Sequence, residues 1–345
     1  MDMIRSLPSI DGLSKKQIME VLLNEEYGFL PPPPSSTVSF VERVDDSFCA
    51  GKAELQKIRL TCQMERGNFS FPVYFAYPKK ANGAVPCFIH INFYDSVPNR
   101  YQPTEEIIDN GYATLTFCYR DITSDDGDFS DGLSGIVYPN GKKKENDCGK
   151  LGLWAWAAMR VMDFAQTLDV LDRDRISVVG HSRLGKTALL TGALDERFFC
   201  AISNDSGCGG ASLARGNTGE KIIDITRTFP YWFCENYSKY AKREEEMPFD
   251  QHFLIAANYP HRVYVASAEG DGWACPKNEY IACVAASGYY ESRGVRGFVR
   301  EGDELPGAEK SLHGGYIGYH IRGGLHYLGR ADWNEFIKYL DSAEK

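Results

Sequence analysis

The segment between residues 85 and 195 constrains the fold most. Short β-rich apolar runs alternate there with helical patterns: VPCFIHINF (85–93), YATLTFCY (112–119), the helix LWAWAAMRVMDFAQTLDVL (153–171), ISVVG (176–180) and a second helix over about 184–194. Apolar strands alternating with segments of helical period build a parallel sheet, whose crossovers lay helices on its faces. The runs CAISND, RVYVASAE and VRGFVR and the closing amphipathic helix ADWNEFIKYL continue the rhythm. An α/β fold with a mostly parallel central sheet flanked by helices is therefore predicted for most of the chain. The stretch 206–258 is too long for a simple connection. Its aromatics in FPYWFCENYSKY mark an insertion that covers something.

The N-terminal part has a different rhythm. Residues 14–27 read as a helix with Ile18, Val21 and Leu22 on one face and Ser14 as N-cap, ended by Pro31 to Pro34. Residues 1–50 are taken as an N-terminal helical appendage and 51–345 as the main α/β domain. The latter opens with two strand patterns, AELQKIRLTCQM and NFSFPVYFAYP, joined as an antiparallel hairpin through Gly67 and Asn68.

Charge and composition remove several classes of function. Lys plus Arg is 38 and Asp plus Glu is 47, a net −9 that repels phosphate backbones, so no nucleic-acid partner is expected. No stretch approaches the roughly 20 apolar residues of a membrane-spanning helix. Ten cysteines are far too sparse for a disulfide scaffold and sit in apolar contexts, as at Cys87, Cys118, Cys200 and Cys283, so they read as reduced. The N-terminus carries no apolar leader with a small-residue cleavage site, and a cytoplasmic location is the expectation. Nothing in the sequence sets an oligomeric state.

The strand RISVVG runs into HSRLGK and then into the helix TALLTGAL, the strand, sharp turn and helix that expose a nucleophilic serine. Ser182 is the candidate nucleophile. Against G-x-S-x-G, Gly180 is present but Leu184 takes the second glycine place and Gly185 follows one residue later, and a serine here could instead cap the helix. A serine needs a general base and a carboxylate to orient it. Of seven histidines, His326 in YHIRGGLHYL follows the last strand pattern in a glycine-rich loop, where this architecture delivers its base. His181, His90 and His320 read as structural or packing residues. For the acid, the order Ser, Asp/Glu, His leaves Asp271 after RVYVASAE and Asp205 after CAISN, and either could instead cap its loop.

Arg183 and Lys186 place two cations within a turn of the serine. At the mouth of a reactive site a charge is costly unless paired or used, so they suggest an anionic substrate. The chain lacks a phosphate loop, a C-x-x-C pair and an H-E-x-x-H motif, so neither cofactor nor metal is expected.

The motifs GHSRLGK, SNDSGCGG, FPYWFC, DQH, YVASAEGDGWACP and YHIRGGLH, with DW behind it, resemble the glucuronoyl esterases, carbohydrate esterase family 15, and among them the bacterial members. The resemblance runs from about residue 80 to the end. It implies an α/β-hydrolase fold and cofactor-free cleavage of the ester between a 4-O-methylglucuronic acid branch of xylan and a lignin alcohol. It further implies Ser182 as nucleophile, His326 as base, Arg183 as an oxyanion-stabilising residue, and Lys186, Glu220 and Trp273 as sugar contacts. The family's acid stands at one of two strand ends, here Asp205 and Asp271. Departures are the missing export signal, a short N-terminal part, and His181 where fungal members carry a cysteine.

The expected partner is thus a small carbohydrate or uronate ester, and a cytoplasmic enzyme would meet it as an imported small molecule. The second oxyanion donor is expected from the backbone around Asn92 and Phe93. Hydrolysis of acetylxylan or another sugar acetyl ester is the alternative, and a catalytically dead carbohydrate-binding protein a remote one.

Overall fold

A computed structural model of the chain describes residues 2–141, 143–302 and 304–343. Among them, ten strands join in one sheet: β1 (Ser36–Asp45), β2 (Ala53–Met64), β3 (Gly67–Pro78), β4 (Val85–Asn92), β5 (Ala113–Cys118), β6 (Leu171–His181), β7 (Cys200–Asn204), β8 (Arg262–Ala268), β9 (Lys310–Leu312) and β10 (Ile317–Arg322). Their order is β1-β2-β3-β5-β4-β6-β7-β8-β10-β9. The block β5-β4-β6-β7-β8-β10 is parallel, and β1, β2, β3 and β9 are antiparallel to their neighbours.

The parallel strands are buried over most of their length because both faces are covered. Ile89, Val178, Ala201 and Val263 pack into one core with the helices Lys150–Ala165 and Arg183–Leu194. Their neighbours Phe88, Val179, Ile202 and Tyr264 point the other way, against Trp333 and Phe336 of the C-terminal helix Arg330–Ser342. Period-two alternation thus feeds two cores instead of one core and solvent. No helix among the described residues is long and apolar enough to cross a membrane.

Three local readings are corrected. The hairpin turn falls on Glu65 and Arg66, since Met64 pairs with Gly67. VRGFVR is not a strand. Phe298 makes a single bridge to Ile317, and the edge of β10 beyond it is taken by β9, which pairs Leu312 with Tyr319. Residues 1–50 contain the helix Lys15–Leu22, capped by Ser14 as expected, with Gln17 completing a capping box, and a turn of π-helix at Leu23–Tyr27. They also contain β1, an edge strand of the main sheet, and Ile18, Leu22 and Tyr27 are fully buried in the main core. The segment is built into the same body as the rest.

Candidate active site

Four neighbouring parallel strands, β6, β7, β8 and β10, end at the same edge of the sheet, and the next few residues after each are Ser182, Asp205, Asp271 and His326. Parallel strands deliver their C-terminal ends together, so residues far apart in sequence converge there.

Ser182 sits between β6 and the helix Arg183–Leu194 at φ +58°, a strained left-handed conformation, and its hydroxyl makes no capping bond to the helix. The helix-cap reading of this serine therefore fails. Its N–H donates to the Asn204 carbonyl at 2.8 Å. The turn is tight enough to require its glycines: a Cβ at Gly180 would lie 2.1 Å from the Leu184 carbonyl oxygen, and one at Gly185 3.2 Å from the Asn204 oxygen. The second glycine one residue late is thus where the turn meets β7.

His326 Nδ1 lies 2.5 Å from Asp271 Oδ2. Burial alone would raise the Asp271 carboxyl, but the bond from His326 and its charge outweigh burial and hold it below the usual carboxylate value. Asp205 is different. Its Oδ2 accepts from Arg322 Nη2 at 3.1 Å and from the Tyr327 N–H at 3.2 Å, and its buried Oδ1 has no partner. Burial, together with nearby Glu279, pushes its carboxyl well above the usual range despite Arg322. Of the two acids open from sequence, Asp271 is the one bonded to the imidazole. Donor atoms of Asp205, Asp271 and His326 lie within 4.8 Å of one another. The short His326–Asp271 bond leaves no room for a cation between those two ligands, and it suits an acid–base pair.

His181 packs its ring 4.5 Å from that of His326 and bonds Asn204 Oδ1 at 2.6 Å. Burial and the His326 charge depress it to about 3, so it is a neutral wall.

Arg183 lies over Trp232 at 4.6 Å and Phe229 at 5.3 Å, and its Nη1 donates to Asp125 Oδ2, while its buried Nε has no partner. Asp125 also accepts from Trp232 Nε1 at 2.8 Å and from the Tyr119 hydroxyl at 2.9 Å. Asp125, Phe229 and Trp232 were not picked out individually from sequence. Asp125 is one of four aspartates between 125 and 131, and only the tertiary contact distinguishes it.

Lys186 Nζ donates to the carbonyls of Ser206 and Cys208 at 2.5 and 2.6 Å and lies 3.9 Å from Glu220 Oε2. The Glu220 N–H donates to the Trp273 carbonyl at 2.9 Å, and the Trp273 ring is 59% exposed. One cleft of about 400 Å³ is lined by Ser182, Arg183, Lys186, Glu220, Trp273 and His326, with Phe229 and Trp232 from the insertion over it. The candidate catalytic and sugar-contact residues, Asp205 and Asp271 included, all border this cleft, whereas Asn92 and Phe93 are not among its lining residues. The expected donor at Phe93 is otherwise engaged: its N–H bonds Asn92 Oδ1 at 2.8 Å.

The family model described as "Glucuronyl esterase, fungi" matches residues 60–294. Carbohydrate esterase MZ0003, from an unknown prokaryotic organism, is 37% identical over 239 residues, which cover 69% of this chain and 55% of that protein. The chain belongs to the glucuronoyl esterase family. A second relative, the 4-O-methyl-glucuronoyl methylesterase of Podospora anserina, is 27% identical over 291 residues, covering 81% of this chain and 56% of its own. The chain thus spans about 55% of the length of these two relatives. A solved glucuronoyl esterase from Solibacter usitatus superposes with a TM-score of 0.87 at 30% identity, over 96% of this chain and 92% of that one. The fold of this glucuronoyl esterase family member is accordingly that of an α/β-hydrolase.

Proposed function

We propose that the chain is a serine ester hydrolase acting on alcohol esters of a glucuronic acid, with 4-O-methylglucuronate as the acyl half. The observation that carries this reading is the His326–Asp271 bond at the mouth of a cleft that also holds the strained Ser182 and an arginine with a free buried Nε. The names of the relatives support the substrate class.

His326 takes the Ser182 proton as the hydroxyl attacks the ester carbonyl, and Asp271 fixes the ring so that its other nitrogen faces the serine and stabilises the imidazolium. The oxyanion develops beside the start of the helix Arg183–Leu194, where the Arg183 N–H and the unpaired Nε supply donors and Asp125 holds the guanidinium in place. The alcohol leaves with the proton from His326, and water, activated by the same imidazole, hydrolyses the acyl-enzyme.

Lys186 has three N–H donors, two of them spent on carbonyls, so the third is free for a sugar oxygen. Glu220 accepts from a sugar hydroxyl and Trp273 covers a ring face. A uronate ester is neutral at its carbonyl, so the cations act on the oxyanion and the hydroxyls, not on ground-state charge.

The test is Ser182→Ala assayed on a methyl glucuronate ester. We expect a loss on the order of 10⁴-fold or more with the melting temperature retained. Activity above a tenth of wild type would remove Ser182 from the mechanism.

A further inference from the structure

The base of the site stands on a loop that local sequence does little to hold. After β10 the chain runs Arg322, Gly323, Gly324, Leu325, His326, Tyr327. Two consecutive glycines leave the backbone free, Gly324 adopts φ +99°, and the Leu325 side chain is 71% exposed. Proton transfer nevertheless requires the imidazole to be held to within about half an ångström.

The guanidinium of Arg322 spends all its donors on this problem. Nη1 bonds the carbonyls of Gly323 and Leu325 at 3.1 and 3.0 Å, and Nη2 bonds the carbonyl of Tyr327, so bonded carbonyls stand on both sides of His326. The remaining donors reach outward. Nη2 also bonds Asp205 Oδ2 at 3.1 Å, and Nε bonds both oxygens of Asp332 at 2.9 and 3.0 Å. Asp332 is fully buried and fixed by His320 Nε2 at 2.9 Å and the Gly329 N–H at 2.7 Å. Asp205 holds Tyr327 a second time through its N–H. The Gly270 N–H bonds the Gly324 carbonyl at 2.9 Å, which ties the His326 loop to the loop carrying Asp271.

We propose that Arg322 is the positioning residue of His326, and that Asp205 serves the reaction by anchoring Arg322 and Tyr327 instead of bonding the imidazole. The proposal rests on the esterase reading above. Removing the fork would leave the sugar contacts in place and let the imidazole wander, so the loss falls on kcat.

The test compares Arg322→Lys and Arg322→Ala in the full chain with methyl glucuronate ester as substrate. Lysine keeps the charge between Asp205 and Asp332 but replaces a planar five-donor fork with three donors on one nitrogen. We expect Arg322→Lys to lower kcat about 10- to 100-fold with KM within about threefold of wild type. Arg322→Ala should lose more, and guanidinium ion at non-denaturing concentration should restore part of its kcat. A kcat within twofold of wild type for Arg322→Lys would overturn the proposal, as would a loss in Arg322→Ala that guanidinium leaves unchanged. If Arg322→Ala does not fold, Arg322→Lys alone decides. Failure of the esterase reading looks different: the wild-type chain would then be inert on the ester.

Discussion

Asp205 and Asp271 occupy equivalent strand ends in opposite electrostatic settings. Asp271 is held ionised by an imidazole, whereas Asp205 is buried beside Glu279 and pushed toward its neutral form. Asp271→Asn is therefore expected to cost about 10³-fold or more in kcat, because the amide cannot hold the imidazole in its working tautomer. Asp205→Asn should cost less and leave readily measured activity, and single and double variants compared by kcat/KM check the order. Equal damage by Asp205→Asn and the double variant would reverse the two roles. Arg183→Ala should lower kcat on every ester by roughly 3 to 4 kcal/mol of transition-state stabilisation. Asp125→Asn should lower kcat by less at constant KM, since the guanidinium stays but loses its charged anchor. A KM effect alone in Asp125→Asn would show that Asp125 only supports the cleft wall.

At the scale of elements, the turn between β6 and its helix is one of the parts of the fold that tolerate no added side chain at their glycines. Gly180→Ala drives a Cβ into the Leu184 carbonyl, so the backbone must shift. A cost of about 3 kcal/mol or more is expected, read as a fall in denaturation midpoint together with lost activity. An unchanged midpoint would mean that the turn is looser than the contact implies. The same turn shows what was legible in sequence. Strands buried on both faces, such as VPCFIHIN and RVYVASA, announce themselves as β-rich, mostly apolar runs without a polar face, and the strand–serine–helix order fixes the place of the nucleophile. β1 gives no such signal: STVSFVERVD is an edge strand, mostly exposed, with Glu42 and Arg43 in the run. VRGFVR carries the pattern of a strand and is displaced from the sheet by β9. Asp125 and Arg322 were illegible because their work depends on which carbonyls and rings converge on them, and neither spacing nor residue type records that.

At the scale of the whole molecule, the N-terminal segment and the long helix Pro276–Glu291 each bury a carboxyl in the interior behind the cleft. Burial raises Glu26 to about 8 despite bonds from Gln251, and raises Glu279 to about 7 despite donors from Ser267 and the Gly207 N–H. Both values lie above the ordinary 4.5, so the folded state binds more protons than the unfolded one across this window. Their contribution to stability is full below about 4.5 and is lost as pH rises through about 7 and 8. These two carboxyls therefore pull the melting temperature down between pH 5 and pH 8, against the buried His90, His181 and His252, whose depressed values pull it up as pH rises to 6.5. Glu26→Gln should make the slope across that window less negative. A slope unchanged in Glu26→Gln would show that Glu26 ionises freely in the folded chain. The substrate claim itself is tested most directly by one comparison: kcat/KM of the wild-type chain on the methyl ester of 4-O-methylglucuronate against an acetylated xylo-oligosaccharide, each repeated with Lys186→Ala. The account predicts clear preference for the uronate ester and a rise in KM on that ester in Lys186→Ala. Preference for the acetyl ester, with Lys186→Ala damaging both substrates equally, would contradict it.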